Sequence, residues 1–287
     1  MPADFAGLRV LSLESRRAQE IAKLIANSSG QPLVISSVRE VPLASNQEAL
    51  KFTRQLLEGS VDMAIFTTGV GVRLLVRVVE TATPVATFVA ALSKIPVVAR
   101  GPKPAVALRE LNVPIAAIVP EPNTWRELLT VLDEQSSSLS LDCRRVAVQE
   151  YGVTNPELTS VLKQRGAIVI SVPVYEWTLP EDRGPLRDAV STILRGEIDV
   201  FLVTAAVQIR HLFAVAEEMG LSAKIGGALS RTLIASIGPM TSEELVRHGL
   251  SADMEPSHPK MGILVKEASE RAAVVLQEKR RTSSARH

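Results

Sequence analysis

Residues 62–80 read DMAIFTTGVGVRLLVRVVE, in which an apolar run opens into small and hydroxyl residues before a helix-period pattern begins. Residues 199–217, DVFLVTAAVQIRHLFAVAE, repeat this punctuation 137 positions later. Between 59 and 108, 15 of 50 positions are identical at that offset, where ordinary composition gives roughly three by chance. At an offset of 136, further identical pairs are Arg9 with Arg145 and Glu14 with Glu150. The sequence therefore predicts an internal duplication.

Within each half, short β-branched runs alternate with segments of helical period. The runs are LRVLSL, PLVISS, MAIF, IPVVA and PIAAIV in the first half, and RRVAVQ, AIVISV, VFLV and TLIAS in the second. Helix-period segments such as RAQEIAKLIANSSG and KPAVALRELN lie between them. This alternation predicts an α/β fold with parallel sheets.

Two proline-bearing segments break the alternation, SVREVPLAS at 37–45 and SVPVYEWTLPE at 171–181. They are equivalent in the repeat and have an extended character, which is typical of linkers between compact units. Spacing alone also permits two consecutive domains of about 140 residues with these segments as internal loops.

The composition excludes several classes of protein. The 287 residues are 46% apolar, and 32 Lys and Arg balance 31 Asp and Glu to a net charge of +1. No overall field therefore favours nucleic acid or a membrane surface. A single cysteine, Cys143, and four scattered histidines indicate neither a disulfide nor a metal site. The start, MPADFAG, lacks signal-peptide features, so we expect a cytoplasmic protein, and the last residues, EKRRTSSARH, are expected to be a frayed tail.

The small and hydroxyl residues follow predicted strands and begin predicted helices. In a parallel sheet these positions lie at the carboxyl edge, where helix amino ends attract anions. The candidate anion-binding residues are Thr67, Thr68, Gly69 and Val70; Arg100, Gly101 and Lys103; and, in the second half, Thr204, Ala205, Ala206, Gly238, Pro239, Thr241 and Ser242. Helix capping without any ligand is the alternative for each loop. If two such units face each other, their helix ends converge on one cleft.

Familiar catalytic signatures are absent from the sequence. GVGVRL at 69–74 would need a third glycine at Leu74 to form a dinucleotide fingerprint, and no GxxxxGK[ST] occurs. No GxSxG or HExxH occurs either. A nucleotide-dependent transferase and a hydrolase are therefore not favoured.

With these residues laid out, the chain resembles the uroporphyrinogen-III synthase family over nearly its full length. The matching stretches are FTTGVGVRLL at 66–75, ARGPKPAVALRELNV at 99–113, VQEYG at 148–152, PVYEW at 173–177, GEIDVFLVTAAVQIRHLF at 196–213 and SIGPMTSEEL at 236–245. The resemblance implies two similar parallel-sheet α/β domains joined by two extended hinge strands, with the active site in the cleft between them. It places domain one at 1–38 and 176–287, domain two at 42–172, and the hinges at about 37–45 and 171–181.

The resemblance also implies the reaction. Hydroxymethylbilane, a linear tetrapyrrole with eight carboxylates, loses water and closes to uroporphyrinogen III with its terminal pyrrole ring inverted. No cofactor or metal takes part, which makes the enzyme a cofactor-independent cyclising lyase of tetrapyrrole biosynthesis. It is expected to act as a monomer on substrate received from the preceding enzyme of the pathway. Its task is to hold the reactive azafulvene so that the inverted route is favoured.

Tyr175 matches a tyrosine that the family places on a hinge strand facing the cleft. Because a phenol is protonated at neutral pH, Tyr175 is expected to donate a proton to the leaving hydroxyl. The alternative is that Tyr175 only packs beside Trp177. Tyr151 and Gly152 are expected to line the cleft wall.

Several basic residues could meet substrate carboxylates. Arg100 and Lys103 flank a strand-end glycine and are the favoured candidates. Arg16, Arg73 and Arg210 could also meet carboxylates. Arg73 and Arg210 lie one turn into equivalent helices, so a solvated face or a structural salt bridge is at least as good an interpretation of these two. Residues 204–206 read TAA where the first half has TTG, which predicts two unequal anion sites. A catalytically silent two-lobed protein that binds an anion or a tetrapyrrole remains the alternative function.

Overall fold

The computed structural model describes residues 4–43, 45–150, 152 and 154–284. The strands are β1 (Arg9–Ser12), β2 (Gln31–Val34), β3 (Arg39–Pro42), β4 (Met63–Phe66), β5 (Val97–Ala99), β6 (Ala117–Ile118), β7 (Arg145–Gln149), β8 (Ile168–Val172), β9 (Tyr175–Thr178), β10 (Val200–Val203) and β11 (Leu233–Ser236). The helices are α1 (Ala18–Asn27), α2 (Gln47–Leu57), α3 (Gly69–Glu80), α4 (Val85–Leu92), α5 (Pro102–Glu110), α6 (Trp125–Glu134), α7 (Pro156–Gln164), α8 (Gly184–Leu194), α9 (Ala206–Glu218), α10 (Ser222–Ala228), α11 (Pro239–Arg247) and α12 (Met261–Ser284). None of the described helices is long and apolar enough to cross a membrane.

The chain divides into two compact units. Unit 1 is Met1–Arg39 with Thr178–His287, and unit 2 is Glu40–Trp177. The sheet of unit 1 has the order β11-β10-β1-β2, and that of unit 2 has the order β6-β5-β4-β7-β8. Every strand pair in these two sheets is parallel. The predicted parallel-sheet α/β fold class is confirmed, and each unit combines strands from both halves of the chain.

Elements at repeat-equivalent positions correspond closely. Helices α5 and α11 begin and end at equivalent positions of the repeat, and so do strands β3 and β9. Strands β4 and β10 match in the same way. The similarity first seen between residues 62–80 and 199–217 therefore extends to the position of each of these elements.

The central strands are buried on both faces, which explains their continuous apolar runs. In unit 2, Ala64 and Phe66 pack with helices α2 to α5, whereas Met63 and Ile65 pack with α6 and α7. In unit 1, alternate residues of β10 divide in the same way between α8 to α11 on one face and α1 with α12 on the other. Each unit is thus a sheet between two helical layers.

A charged pair joins β4 to β7 at the amino edge of the unit 2 sheet. Asp62 accepts hydrogen bonds from Arg145 at its backbone N (2.8 Å), Nε (2.9 Å) and Nη2 (2.9 Å). These bonds, the guanidinium bonds foremost, lower the pKa of the Asp62 carboxyl to about 2 from its usual 3.8. The equivalent Asp199 of unit 1 accepts a bond from the backbone N of Arg9 at 2.9 Å.

The two segments that break the alternation form a small sheet of their own, β3 with β9. Trp177 Nε1 donates to Glu40 Oε1 at 3.3 Å across this pair. Just before β3, the carbonyl of Ser37 lies 2.6 Å from Nδ1 of His211 on α9. Because a carbonyl oxygen only accepts, Nδ1–H of His211 is the donor in this contact. Burial is the main cause that lowers the pKa of His211 below its ordinary value of 6.5.

The expectation of a frayed tail from residue 278 is wrong for the described part of that segment, because α12 continues to Ser284. Lys279 anchors it, since its Nζ lies 2.7 Å from both the carbonyl of Thr232 and Oδ2 of Asp253. The basic residues that signal a tail by composition are partly used to fix the last turns of the helix.

Candidate functional site

The carboxyl edge of the unit 2 sheet has a topological switch point between β4 and β7. The chain continues from β4 to β5 on one side and from β7 to β8 on the other. Ligands of open α/β sheets bind where neighbouring strands diverge in this way. The residues after β4 begin with Thr67, in a predicted anion-binding loop. Those after β7 begin with Glu150, close to the predicted cleft-wall residue Gly152.

Thr67 and Thr68 are tied down by their own chain. Thr68 is the N-cap of α3, and its Oγ1 accepts the N–H of Gly71 at 3.0 Å. Thr67 is 4% exposed and donates its hydroxyl to the carbonyl of Gln149 at 2.7 Å. The backbone N–H groups of both threonines lie 3.3 Å from Gln149 Oε1. Helix capping thus accounts for part of this loop. The N–H groups of Gly69 and Val70, in the first turn of α3, have no hydrogen-bond acceptor inside the helix.

The two glycines of this loop permit close approaches. A Cβ on Gly69 would lie 2.6 Å from the carbonyl oxygen of Lys103, so Gly69 lets α3 pack against the backbone of α5. A Cβ on Gly71 would overlap the side-chain amide of Gln149. The pattern GVG is therefore a packing requirement as well as a helix start.

Tyr175 begins β9 and lies with Thr68 in the same unit. Its hydroxyl is 3.2 Å from Thr68 Oγ1, and the residue is 2% exposed. Its ring meets that of Trp177 edge to face, with centroids 6.3 Å apart. Both sequence interpretations of Tyr175 therefore have a structural counterpart: a hydroxyl at the strand edge and a ring packed beside Trp177.

Gly152 links the switch point to β9. It has a φ of +71°, bridges to Glu176, and accepts the N–H of Trp177 at 3.2 Å. A Cβ at this position would overlap the Trp177 indole. Tyr151, predicted to line the same wall, lies outside the described residues.

The loop after β5 presents positively charged side chains to an anion more than it presents backbone N–H donors. Gly101 is the N-cap of α5 with a φ of +103°, and Pro102 and Pro104 remove two N–H groups from the first turn. Lys103 is exposed, whereas Arg100 is partly buried, and its backbone N–H continues the sheet by bonding to the carbonyl of Phe66 at 2.8 Å. An anion at this loop would meet side-chain cations and the helix dipole.

In unit 1, a carboxylate of the chain itself lies at the equivalent switch point, between β1 and β10. Glu14 Oε2 accepts the hydroxyl of Thr204 at 2.5 Å. Gln208 Oε1 accepts the N–H of Thr204 at 2.9 Å, and its Nε2 donates to Thr204 Oγ1 at 2.8 Å. Ala205 is the N-cap of α9 and provides no side-chain cap, and Ala206 follows it as the first helical residue. The negative charge of Glu14 makes this loop unlike its counterpart in unit 2.

The second predicted loop of unit 1 is also occupied by groups of the same chain. Gly238 caps α11, with Pro239 as the first helical residue. Thr241 is 3% exposed, and Ser242 donates to Glu255 at 2.5 Å. The candidate residues of unit 1 thus meet two carboxylates, Glu14 and Glu255.

Arg73 and Arg210 each form an ion pair within their own unit. Arg73 Nη2 lies 2.9 Å from both carboxylate oxygens of Glu110. Arg210 lies 3.5 Å from the buried Glu244. Arg16 is exposed on the turn after β1. For Arg73 and Arg210 the salt-bridge interpretation has direct structural support.

Sequence reasoning missed Gln149, Gln208 and Glu14. Gln149 ends the largely apolar strand RVAVQ and is 2% exposed. A polar amide at the end of such a strand was the signal in the sequence that could have identified it. Gln208 and Glu14 carried no comparable signal, because their partners are set by tertiary contact. Within the described residues, no group of three or more His, Cys, Asp and Glu side chains could hold a metal ion.

Comparison with known proteins agrees with this architecture. The family model HEM4, described as uroporphyrinogen-III synthase HemD, matches residues 19–266. A mutant uroporphyrinogen III synthase from Thermus thermophilus has a TM-score of 0.71 at 26% identity, covering 93% of this chain and 99% of that chain. An uncharacterized protein YjjA of Bacillus subtilis is 29% identical over 91% of this chain and 94% of its own length. A putative uroporphyrinogen-III synthase of Methanothermobacter thermautotrophicus is 28% identical over 82% of this chain and 87% of its own length. With a family model matching most of its length and the fold of a solved member, this chain belongs to the uroporphyrinogen-III synthase family.

Proposed function

We propose that the protein cyclises hydroxymethylbilane to uroporphyrinogen III, with loss of water and inversion of the terminal pyrrole ring. Family membership supports this activity over that of a catalytically silent binding protein. The observation that carries the proposal is the pair formed by the Tyr175 hydroxyl and Thr68 Oγ1, 3.2 Å apart at the switch point of unit 2. The proposal includes the cofactor-independent lyase chemistry and a cytoplasmic monomer. It also includes the domain boundaries predicted from the sequence, 1–38 with 176–287 and 42–172.

In the first step, the Tyr175 phenol donates its proton to the terminal hydroxyl of the substrate. Water leaves as the pyrrole nitrogen lone pair displaces the ring electrons towards the exocyclic carbon, which gives the protonated azafulvene with its exocyclic C=C bond. Thr68 Oγ1 already accepts the N–H of Gly71, so its own hydroxyl hydrogen is available to Tyr175 Oη and stabilises the phenolate. The exocyclic carbon then bonds to the substituted carbon of the last pyrrole to give a spiro intermediate. The older bridge bond at that carbon breaks, and the released bridge carbon bonds to the free α-carbon of the same ring. That α-carbon regains aromaticity by releasing a proton, which restores the phenol. The net change is the loss of one water.

Substrate carboxylates are held at the carboxyl edge of unit 2. The N–H groups of Gly69 and Val70 and the side chains of Arg100 and Lys103 supply charge-assisted bonds of about 1.5–3 kcal/mol each. A difference of about 1.4 kcal/mol changes a product ratio tenfold, so a few such bonds suffice to favour the inverted route. We propose that carboxylates avoid Thr204, because Glu14 would repel them there.

The activity is tested with hydroxymethylbilane generated enzymatically, followed by oxidation of the products and chromatographic separation of the isomers. Isomer III formed at a rate proportional to protein concentration is the expected result. Isomer I alone, at the rate of the protein-free control, would refute the proposed function.

Two variants test the roles of the paired hydroxyls. Tyr175→Phe should lower kcat by roughly 10²-fold, because general acid catalysis typically contributes that much or more. Thr68→Val should lower kcat about tenfold, while the matched control Thr68→Ser retains the hydroxyl and most of the rate. An unchanged kcat in Tyr175→Phe would remove Tyr175 from the chemistry.

A further inference from the structure

Gln149 is a buried side chain whose whole amide is used at the switch point. Its Oε1 accepts the N–H groups of Thr67 and Thr68, and its Nε2 donates to the carbonyl of Glu150. The residue is 2% exposed. Rotating the amide by a half turn would place its NH₂ against two N–H donors, so these bonds fix its orientation.

Gln149 and Gly71 are structurally coupled. A Cβ on Gly71 would overlap the Gln149 amide, and the N–H of Gly71 bonds to Thr68 Oγ1. The amide therefore fills the volume that a side chain at 71 would take. The Gln149 amide and Gly71 together determine the position of Thr68.

In unit 1 the backbone N–H of the equivalent threonine, Thr204, is bonded by a glutamine on the helix instead of one on the strand. Gln208 is the repeat equivalent of Gly71, and its Oε1 accepts the N–H of Thr204 at 2.9 Å. Leu13 is the repeat equivalent of Gln149, and it is fully buried. One unit thus places a glutamine on the strand and a glycine on the helix, and the other places a leucine after the strand and a glutamine on the helix.

From this geometry we infer that Gln149 is a positioning residue of the site, which holds the Thr67–Thr68 turn so that Thr68 Oγ1 is presented to the Tyr175 hydroxyl. This inference rests on the proposed function for its catalytic consequence. Oε1 of Gln149 also accepts the backbone N–H groups of Thr67 and Thr68. These two N–H groups are therefore not contacts for a substrate carboxylate.

The test is Gln149→Leu, which copies the residue of unit 1. We expect kcat to fall 10- to 100-fold with KM changed less than twofold, because the catalytic hydroxyls lose their support while the carboxylate contacts remain. Gln164→Leu, the same chemical change on the exposed surface of α7, is the matched control and should leave both constants unchanged. If Gln149→Leu does not fold, Gln149→Met provides an unbranched replacement of similar length.

A second variant distinguishes positioning from a general loss of stability. Gln149→Leu combined with Gly71→Gln transplants the arrangement of unit 1, and it should restore kcat to within a few-fold of the original protein. Gly71→Gln alone should be strongly destabilised, since two amides would compete for one space. A folded double variant with the low kcat of Gln149→Leu, or a Gln149→Leu protein with unchanged kcat, would overturn the inference.

Hydrogen exchange of the peptide spanning residues 63–72 separates this inference from the proposed function. If the original protein forms no isomer III, the proposed function fails, and exchange then decides the positioning role. Faster exchange in Gln149→Leu, reversed in the double variant, supports that role. Unchanged exchange overturns it.

Discussion

Replacing Asp62 with asparagine removes a carboxylate that accepts three hydrogen bonds from Arg145, of 2.8, 2.9 and 2.9 Å. The repeat provides a matched control, Asp199→Asn, at the equivalent position of unit 1. Asp199 accepts a bond from the backbone N of Arg9 at 2.9 Å, while the Arg9 guanidinium lies 3.8 Å from Glu197. The two variants therefore differ mainly in the loss of the guanidinium bonds.

The size of the effect follows from the pKa of Asp62, which is lowered from 3.8 to about 2, chiefly by the side-chain bonds from Arg145. At about 1.36 kcal/mol per pKa unit this lowering corresponds to roughly 2 kcal/mol. The Asp62 side chain is 20% and the Arg145 side chain 37% exposed, so solvent screening reduces the expected loss to about 1–2 kcal/mol. Because the folded pKa lies below the unfolded one, this stabilisation is present above about pH 4 and is lost as pH falls from 3.8 towards 2.

Tryptophan fluorescence reports this unit selectively, because the two tryptophans of the sequence, Trp125 and Trp177, both lie in unit 2. Urea unfolding followed by fluorescence should show the loss in Asp62→Asn at pH 7, with a much smaller difference near pH 2. Asp199→Asn should change the fluorescence transition by less than about 0.5 kcal/mol. Equal losses in the two variants, or a loss in Asp62→Asn that is the same at pH 7 and pH 2, would refute the reasoning.

Two further changes test the backbone and the titration of buried groups. Gly152→Ala should lower the free energy of unfolding by about 2–4 kcal/mol, measured by fluorescence, because the φ of +71° is unfavourable for alanine and its Cβ would overlap Trp177. Gly59 has the same φ but open space around it, so Gly59→Ala should cost only about 1–2 kcal/mol. Equal costs in the two variants would contradict the overlap at Gly152. Burial lowers the pKa of His211, so the unfolded chain binds the proton more readily and the stability of unit 1 should fall as pH drops below 6.5. His211→Asn retains a donor for the Ser37 carbonyl and should lack this dependence in urea unfolding followed by circular dichroism at about pH 7.5 and 5.5; the same dependence in both proteins would exclude His211 as its source.

The alternation of strands and helices was predictable because it depends on local periodicity. MAIF at 63–66 is a continuous apolar run between turn residues, and the structure buries it on both faces. Pro102 and Pro239 mark first helical positions in both halves, where a missing N–H carries no penalty. The error at the C-terminus has the same origin, since a basic and polar composition does not reveal that Lys279 finds acceptors on Thr232 and Asp253.

The sequence by itself determined most of the strands and helices, the similarity between its two halves and the loops at which ligands are expected, because periodicity, helix caps and glycine positions are properties of neighbouring residues. Only the tertiary structure decided what those loops hold. Gln149 reaches Thr67 across 82 residues, and Glu14 reaches Thr204 across 190. Such pairs depend on strand order and on the space left by a side chain as small as that of Gly71, and neither leaves a signal in local sequence. For that reason the same repeated loop is completed by an amide in unit 2 and by a carboxylate and an amide in unit 1.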